Sequence, residues 1–334
     1  MAIKLKVIVL ATSFALSSYG IAADVQDPLP SWNNTGAKQA IMAFVTKTTT
    51  QASDAYIPES QRIATFDNDG TLWAEKPVYL QLFFAIDKVK EMASEHPDWK
   101  TTEPFASAIK GDLEGGGGKQ GLEGVMKLVM ATHSGMSTDQ FHQEVKEWMK
   151  TAVHPTTGKP YTEMVYQPML ELLDYLRAND YQTYIISGGG IDFMRVWAPE
   201  VYGIPTQNIV GTTLKAEYQV VDGKPTIQRL PEIDFVNDKA VKPVTIQNFI
   251  GKRPVMAFGN SDGDLQMLEW TKAGVWPRFS AVIHHTDDKR EWAYDKDSHV
   301  GKLDKSFKVG EEQGWLFVDM KQDWSQVFKE AMKK

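Results

Sequence analysis

The sequence predicts an α/β protein, a parallel sheet covered by helices on both faces, with a helical segment inserted after its first strand. Short β-rich runs alternate with amphipathic stretches of helical period from residue 62 onward, the pattern of strand and crossover helix. Three of the runs end in polar, glycine-bearing loops: Asp67-Asn68-Asp69-Gly70, Ser187-Gly188-Gly189-Gly190 and Gly259-Asn260-Ser261-Asp262-Gly263-Asp264. Between the first two loops, residues 78–160 show helical periodicity and no β-rich run, which marks an insertion.

The N-terminus is read apart from the fold. Lys4 and Lys6 precede an apolar run over residues 7–16, and residues 17–23 end in small side chains, the three-part plan of a secretory signal peptide cleaved after Ala22 or Ala23. The apolar run falls short of the ~20 residues of a spanning helix, which disfavours a retained anchor. The expected mature protein is periplasmic or secreted and free of the membrane. Losing residues 1–23 leaves 34 basic residues against 43 acidic ones, so nucleic acid is not an expected partner. The chain is 42% hydrophobic and 24% charged, which excludes a disordered chain. With no cysteine, disulfides and thiolate catalysis are excluded, and a metal site must use oxygen or imidazole ligands.

From residue 24 the elements follow in order. Pro28, Pro30 and Pro58 flank a helical patch over residues 37–47, a leading segment expected to lie against the core. Residues 63–66 are the first strand. Pro77 opens a helix whose apolar positions are Val78, Leu82, Ala85, Ile86 and Val89. Gly115-Gly116-Gly117-Gly118 reads as a connector, because no strand precedes it and no Gly-Lys-Ser/Thr follows. Two amphipathic helices come next, one on Leu122, Val125, Met126 and Val129, the other on Phe141, Val145, Trp148 and Met149.

Met169, Leu172, Leu173 and Leu176 line a further helix, which Asn179-Asp180 ends before a strand over 181–186 and a helix over 191–198. A strand at 209–214 leads to a hairpin at 218–227, turning on Asp222-Gly223. A helix at 243–250, a strand at 254–258 and a short helix ending at Trp270 follow. Strands are expected at Val275, 281–283 and 315–318, and a closing helix at 324–332. The core is thus expected to comprise residues 24–77 and 161–334.

In an extended backbone Asp67 and Asp69 point the same way, above the carboxyl end of their strand. Two carboxylates that close repel unless a cation or a shared proton offsets the charge, and Mg²⁺ suits an all-oxygen site. Asp-Asn-Asp-Gly is also ordinary turn chemistry. The other two loops favour a site, because in a parallel sheet all three open on one edge, where ligands bind.

This arrangement resembles the haloacid dehalogenase-like phosphatase superfamily from Arg62 onward. Asp67-Asn68-Asp69-Gly70-Thr71 is similar to its first motif, Ser187 to the second, a lysine before the fourth-motif strand to the third, and residues 259–264 to the fourth. The insertion resembles the cap of the phosphoserine phosphatase-like branch.

The resemblance implies a Rossmann-like core and a role for each residue. Asp67 would be the nucleophile, and Asp69 the acid and then the base. Ser187, Gly188 and Gly189 would bind the phosphoryl group. Lys242, which directly precedes Pro243 and its helix, is preferred over Lys239 as the motif lysine. Mg²⁺ would be held by Asp67, by Asp69 through its carbonyl, and by Asn260, Asp262 or Asp264. Asn260 departs from the family, which usually has aspartate there, and so brings no charge.

Lesser candidates are Glu75 and Lys76, as leaving-group contacts or exposed hinge charges. Others are Arg195; His284 and His285, whose adjacency on a strand argues against one metal site; and Trp73, Trp99 and Trp148, as pocket walls or core. The expected function is an exported, Mg²⁺-dependent phosphatase that hydrolyses small phosphomonoesters through an aspartyl-phosphate. The alternatives are transfer to an acceptor other than water and a non-enzymatic module that binds a phosphorylated ligand. Oligomeric state has no sequence signature here.

Overall fold

Every residue of β1 (Ile63–Phe66) is buried, because the strand lies mid-sheet with a packed layer on each face. A computed structural model describes residues 26–112 and 121–329; the signal-peptide pattern and the glycine run at 115–118 lie outside the described residues. The strands that follow are β2 (Gln182–Gly190), β3 (Ile209–Val221), β4 (Lys224–Phe235), β5 (Met256–Gly259), β6 (Phe279–His284) and β7 (Leu316–Asp319). They form one sheet in the order β4-β3-β2-β1-β5-β6-β7. All neighbours are parallel except β3 and β4. The expected α/β fold is the observed one.

Side chains alternate between the two faces of this sheet. Ile185, Ile209, Phe258 and Ile283 join one buried cluster, while their chain neighbours Ile186, Val210, Ala257 and Val282 join another. The first cluster includes residues of α1 (Gly36–Thr49), α6 (Gln167–Ala178) and α7 (Ile191–Tyr202), with Phe66 stacked on Phe258 at 4.8 Å. The second packs under α8 (Val241–Phe249) and α9 (Leu265–Lys272).

Between β1 and α6 lie α2 (Leu80–Met92), α3 (Phe105–Lys110), α4 (Gly121–His133) and α5 (Thr138–Thr151). Leu82, Ala85, Ile86, Val89, Trp99, Ala108 and Leu128 form a separate apolar cluster among them. Ser137 and Gln140 close a capping box at the start of α5. The β3–β4 hairpin turns at Asp222 and Gly223, at φ 51° and 75°, the left-handed conformation that such a turn requires. Its second strand reaches the helical segment: the Gly135 N–H donates to Arg229 O at 2.9 Å, and the Arg229 N–H to Met136 O at 3.0 Å.

Three local expectations change, and one helix has no counterpart among them. Val275 is fully exposed between α9 and β6 and lies in no strand. The glycines after Ser187 stay within β2, whose register with β3 shifts between Ile186 and Gly190. The closing helix is α11 (Met320–Asp323), and through residue 329 the chain is not helical. Trp324 and Phe328 make bridges to Trp32 and Tyr166, and this pairing with distant backbone overrides their helical spacing. Finally, α10 (Lys305–Gln313) has only Ser306 and Gly310 buried, so it carried no apolar signal.

Candidate active site

The first loop is set by backbone bonds. The Asp67 N–H donates to Phe258 O at 2.9 Å, extending the β1–β5 pairing by one residue. Asn68 O accepts from the N–H groups of Thr71 and Leu72 at 3.1 and 2.8 Å, which closes the turn. Gly70 has φ 72°, and a Cβ there would lie 2.1 Å from Asn260 Nδ2, so only glycine fits. Alternation separates the side chains. Tyr202 Oη donates to Asn68 Oδ1 at 3.0 Å on the α7 side, whereas Asp69 Oδ1 accepts from Trp73 Nε1 at 2.9 Å.

Lys242 connects this loop to the third. Its Nζ lies 2.9 Å from Asp67 Oδ1 and 2.6 Å from Asp264 Oδ1, with all three side chains buried. Burial alone would lower the ammonium pKa, but Asp264 and Asp67 outweigh it and hold Lys242 above its ordinary value. Burial, and then Asp264, push Asp67 well above the usual carboxylate range against the pull of Lys242. The Lys239 side chain is exposed, 4.0 Å from Asp238, and takes no part, although its N–H donates to Gly263 O at 3.0 Å.

The third loop folds around Asp264. Its Oδ2 accepts from the N–H groups of Asn260 and Ser261 at 3.0 and 3.2 Å. Asn260 is buried, accepting from Thr71 Oγ1 at 3.2 Å and donating to Glu75 Oε1 at 2.7 Å. Asp262 is not part of this group. Its Oδ1 accepts from the N–H groups of Asp304 and Ser306 at 3.1 and 2.9 Å, at the start of α10. Loop geometry thus gives the two aspartates different employment.

The second loop closes the group. Ser187 is fully buried, and its Oγ accepts from the Gly189 N–H at 3.0 Å, while Gly188 O accepts from Thr212 Oγ1. A Cβ on Gly189 would lie 3.4 Å from Ser187 Oγ and 3.6 Å from Asp69 Oδ2, so the Asp69 oxygen not bonded to Trp73 faces this loop. Burial raises the Asp69 pKa against the hydrogen bonds from Trp73 and Asn68. Gln81 of α2 accepts from the Gly190 N–H at 2.7 Å, bringing the inserted helices onto the loop that opens α7.

No three His, Asp or Glu side chains form a metal-ligating cluster among the described residues. The donors at the three loops nevertheless fit Mg²⁺, which needs only one or two carboxylates and keeps several waters. Among the described residues Asp67 Oδ1 is buried without a hydrogen-bond partner, and the Lys242 ammonium lies 2.9 Å from it. One ammonium between two carboxylates also leaves negative charge uncompensated, and the available atoms are all oxygen.

Of the other candidates, Glu75 and His285 adjoin the loops and the rest fall elsewhere. Glu75 is buried, not an exposed hinge charge, and accepts from Asn260 Nδ2 and from Tyr294 Oη, each at 2.7 Å. Burial pushes its pKa up to about 7, against the pull of His285. Lys76 donates to Val300 O at 3.0 Å and lies over the Tyr294 ring. His285 Nε2 donates to Gly70 O at 2.8 Å, and Nδ1 faces Glu291 Oε2 at 3.1 Å. Burial would lower His285, but Glu291 and Glu75 outweigh it and raise its pKa. His284 lies edge-on to Phe307, so the two histidines share no site.

Arg195 ties α7 to β3 through Thr206 O and Ile209 O at 3.1 and 3.2 Å. Trp73 is stacked on Trp197 at 4.0 Å, and Trp99 on His96 and Phe105 at 4.2 and 4.4 Å, as core. Trp148 lines two concavities of about 600 and 280 Å³ among the inserted helices. Neither contains a residue of the three loops. The buried charges decide in favour of the loops, because they are costly unless used.

Glu75, Tyr294, His285, Glu291 and Gln81 gave no sequence signal as a group. The one available hint was Asn260, a neutral residue where the resemblance called for a charge.

The haloacid dehalogenase-like hydrolase family model matches residues 64–269. No curated protein matches the chain. Among solved structures, a conserved protein of unknown function from Anaerococcus prevotii DSM 20548 is 18% identical, covers 78% of this chain and 88% of its own, and has a TM-score of 0.52. A protein of unknown function from Bordetella pertussis Tohama I is 12% identical, covers 78% and 99%, and scores 0.47. A phosphoserine phosphohydrolase-like protein from Francisella tularensis subsp. tularensis SCHU S4 is 16% identical, covers 75% and 98%, and scores 0.38. Of these three, the first shares the fold, and its low identity speaks to nothing beyond the fold.

Proposed function

The chain belongs to the haloacid dehalogenase-like hydrolases, and from that we propose that it is a Mg²⁺-dependent phosphatase that cleaves small phosphomonoesters through an aspartyl-phosphate on Asp67. The observation that carries this reading is the pairing of Asp67 with a second, chemically distinct carboxyl group. Asp67 is ion-paired to Lys242, whereas Asp69 keeps one oxygen towards the Ser187 loop and has a pKa raised by burial. Carbon–halogen cleavage uses the first carboxylate alone and gains nothing from the second.

In this reading an Asp67 oxygen attacks phosphorus, the ester P–O bond breaks, and Asp69 gives its proton to the departing alkoxide. Water then attacks phosphorus with Asp69 taking the proton, and inorganic phosphate leaves as the Asp67 carboxylate is restored. Lys242 offsets the charge of Asp67 and Asp264 and holds both in place. Ser187 and the start of α7 orient the phosphoryl group, whose arrival displaces the local bonds of the Gly189 and Gly190 N–H groups.

Asp67, the Asp69 carbonyl and the Asn260 amide oxygen would hold Mg²⁺, which supplies the positive charge that lets a phosphate dianion approach a carboxylate. Residues 78–160 act as a cap, with Gln81 its contact to the phosphoryl loop. The N-terminal pattern supports export to the periplasm or beyond, and the substrate is a small soluble ester.

The test is release of inorganic phosphate from a panel of esters, with Mg²⁺ and with EDTA, by the mature protein and by Asp67→Asn. Turnover should require the cation and fall by at least about a thousandfold in the variant. Turnover that survives the substitution, or none on any ester, overturns the reading.

A further inference from the structure

We infer that Glu75 supplies, through the Asn260 amide, the negative charge that Asn260 itself leaves out of the cation site. The inference rests on the metal-dependent reading above and assigns Glu75 a positioning role.

A carboxylate accepts and does not donate, so Glu75 Oε1 at 2.7 Å fixes which end of the Asn260 amide faces it. The amide N–H₂ turns to Glu75, and Oδ1 turns to Thr71 Oγ1 and the Asp67 loop. Negative charge on Glu75 polarises the amide in the sense that makes Oδ1 a stronger ligand. An aspartate at position 260 would do this alone; here the work is divided between two side chains that are 185 residues apart in sequence.

The surroundings are built for that one oxygen. Glycines at positive φ wall it on two sides, and a Cβ on Gly70 or Gly301 would lie 2.4 or 1.9 Å from Glu75 Oε1. Tyr294 Oη gives it a second hydrogen bond. No lysine, arginine or histidine nitrogen forms an ion pair with Glu75 among the described residues, so its charge is not spent on a salt bridge. His285 and Lys76 act on this carboxylate only from beyond ion-pair distance, and with two neutral donors as its direct partners its buried charge stays costly unless a cation joins the site.

Calorimetric titration of Mg²⁺ into the metal-free protein tests this without reference to turnover, with melting in EDTA as the check on folding. Glu75→Gln keeps the shape and should bind Mg²⁺ at least about tenfold more weakly. The exchange Glu75→Gln with Asn260→Asp moves the charge across that hydrogen bond, from position 75 to position 260, and should recover affinity to within about threefold of the native protein. A merely structural Glu75 would not be rescued by a charge placed at 260. If Glu75→Gln melts in EDTA well below the native protein, Glu75→Asp, which retracts the same charge, takes its place with the same expected loss. Equal Mg²⁺ affinity in native protein and Glu75→Gln, or no recovery in the exchanged pair, overturns the inference and leaves the phosphatase reading standing. No Mg²⁺ binding by the native protein removes both.

Discussion

At the carboxyl edge of the sheet, Lys242 lies between Asp67 and Asp264, three buried charges whose balance needs a further cation. The inserted helices bury a titratable group of another kind, His133, with ring centroids 5.2 Å from Phe84 and 4.9 Å from Phe141. Thr132 Oγ1 bonds its Nδ1 at 2.7 Å, while its Nε2 is buried without a hydrogen-bond partner among the described residues. One region concentrates charge where a reaction can use it; the other keeps its imidazole neutral and is held by aromatic packing. Their responses to substitution and to pH should therefore differ in size and in sign.

The largest effect should come from Lys242→Met. It leaves Asp67 and Asp264 buried without their shared counter-ion, a change that typically costs ~3–5 kcal/mol. Urea unfolding at neutral pH measures it, and part of the loss should return on acidification as a carboxylate takes up a proton. An unchanged unfolding free energy would mean that this ion group does not hold the edge together.

The next prediction sets the regions against each other by pH. Burial, with Arg229 beside it, pushes His133 down to about 3. Between pH 6.5 and that value the unfolded chain binds a proton that the folded chain refuses. Stability contributed by neutral His133 is therefore present above pH 6.5 and falls below it by ~1.4 kcal/mol per pH unit. Asp67 and Asp69 act in the opposite sense: their raised pKa values favour the folded state at low pH and lose that contribution as pH rises. Denaturation of native protein and His133→Gln from pH 7 to 4 should show the gap between them shifting in favour of the variant as pH falls. Parallel curves would place the acid sensitivity outside the inserted helices.

The sheet was legible because its strands alternate between two packed faces, as the split of Ile185 from Ile186 and of Phe258 from Ala257 records. The three loops were legible because Asp, Gly and Ser at strand ends are both turn formers and ligand binders. What escaped depends on partners distant in sequence. Glu75 meets Tyr294 across 219 residues, and Trp324 leaves its helical pattern to pair with Trp32. The docking of β4 on residues 133–137 likewise has no local cause. Periodicity reports which face of an element is buried, not which distant group it meets.

Asp262 and Asp264 are the sharpest case, since the sequence offers them as equivalent ligands two residues apart. Asp264 lies under Lys242 and gathers two loop N–H groups, whereas half-buried Asp262 turns to α10 and holds its first turn. Asp262→Ala should therefore cost only the ~1 kcal/mol of a lost helix cap and leave Mg²⁺ affinity and phosphate release within about twofold of native. Melting temperature beside a Mg²⁺ titration separates the two quantities. A large fall in Mg²⁺ affinity with an unmoved melting temperature would return Asp262 to the cation site and take α10 out of the explanation. The smallest of the three effects is thus the one that most directly tests which side of the 259–264 loop faces the chemistry.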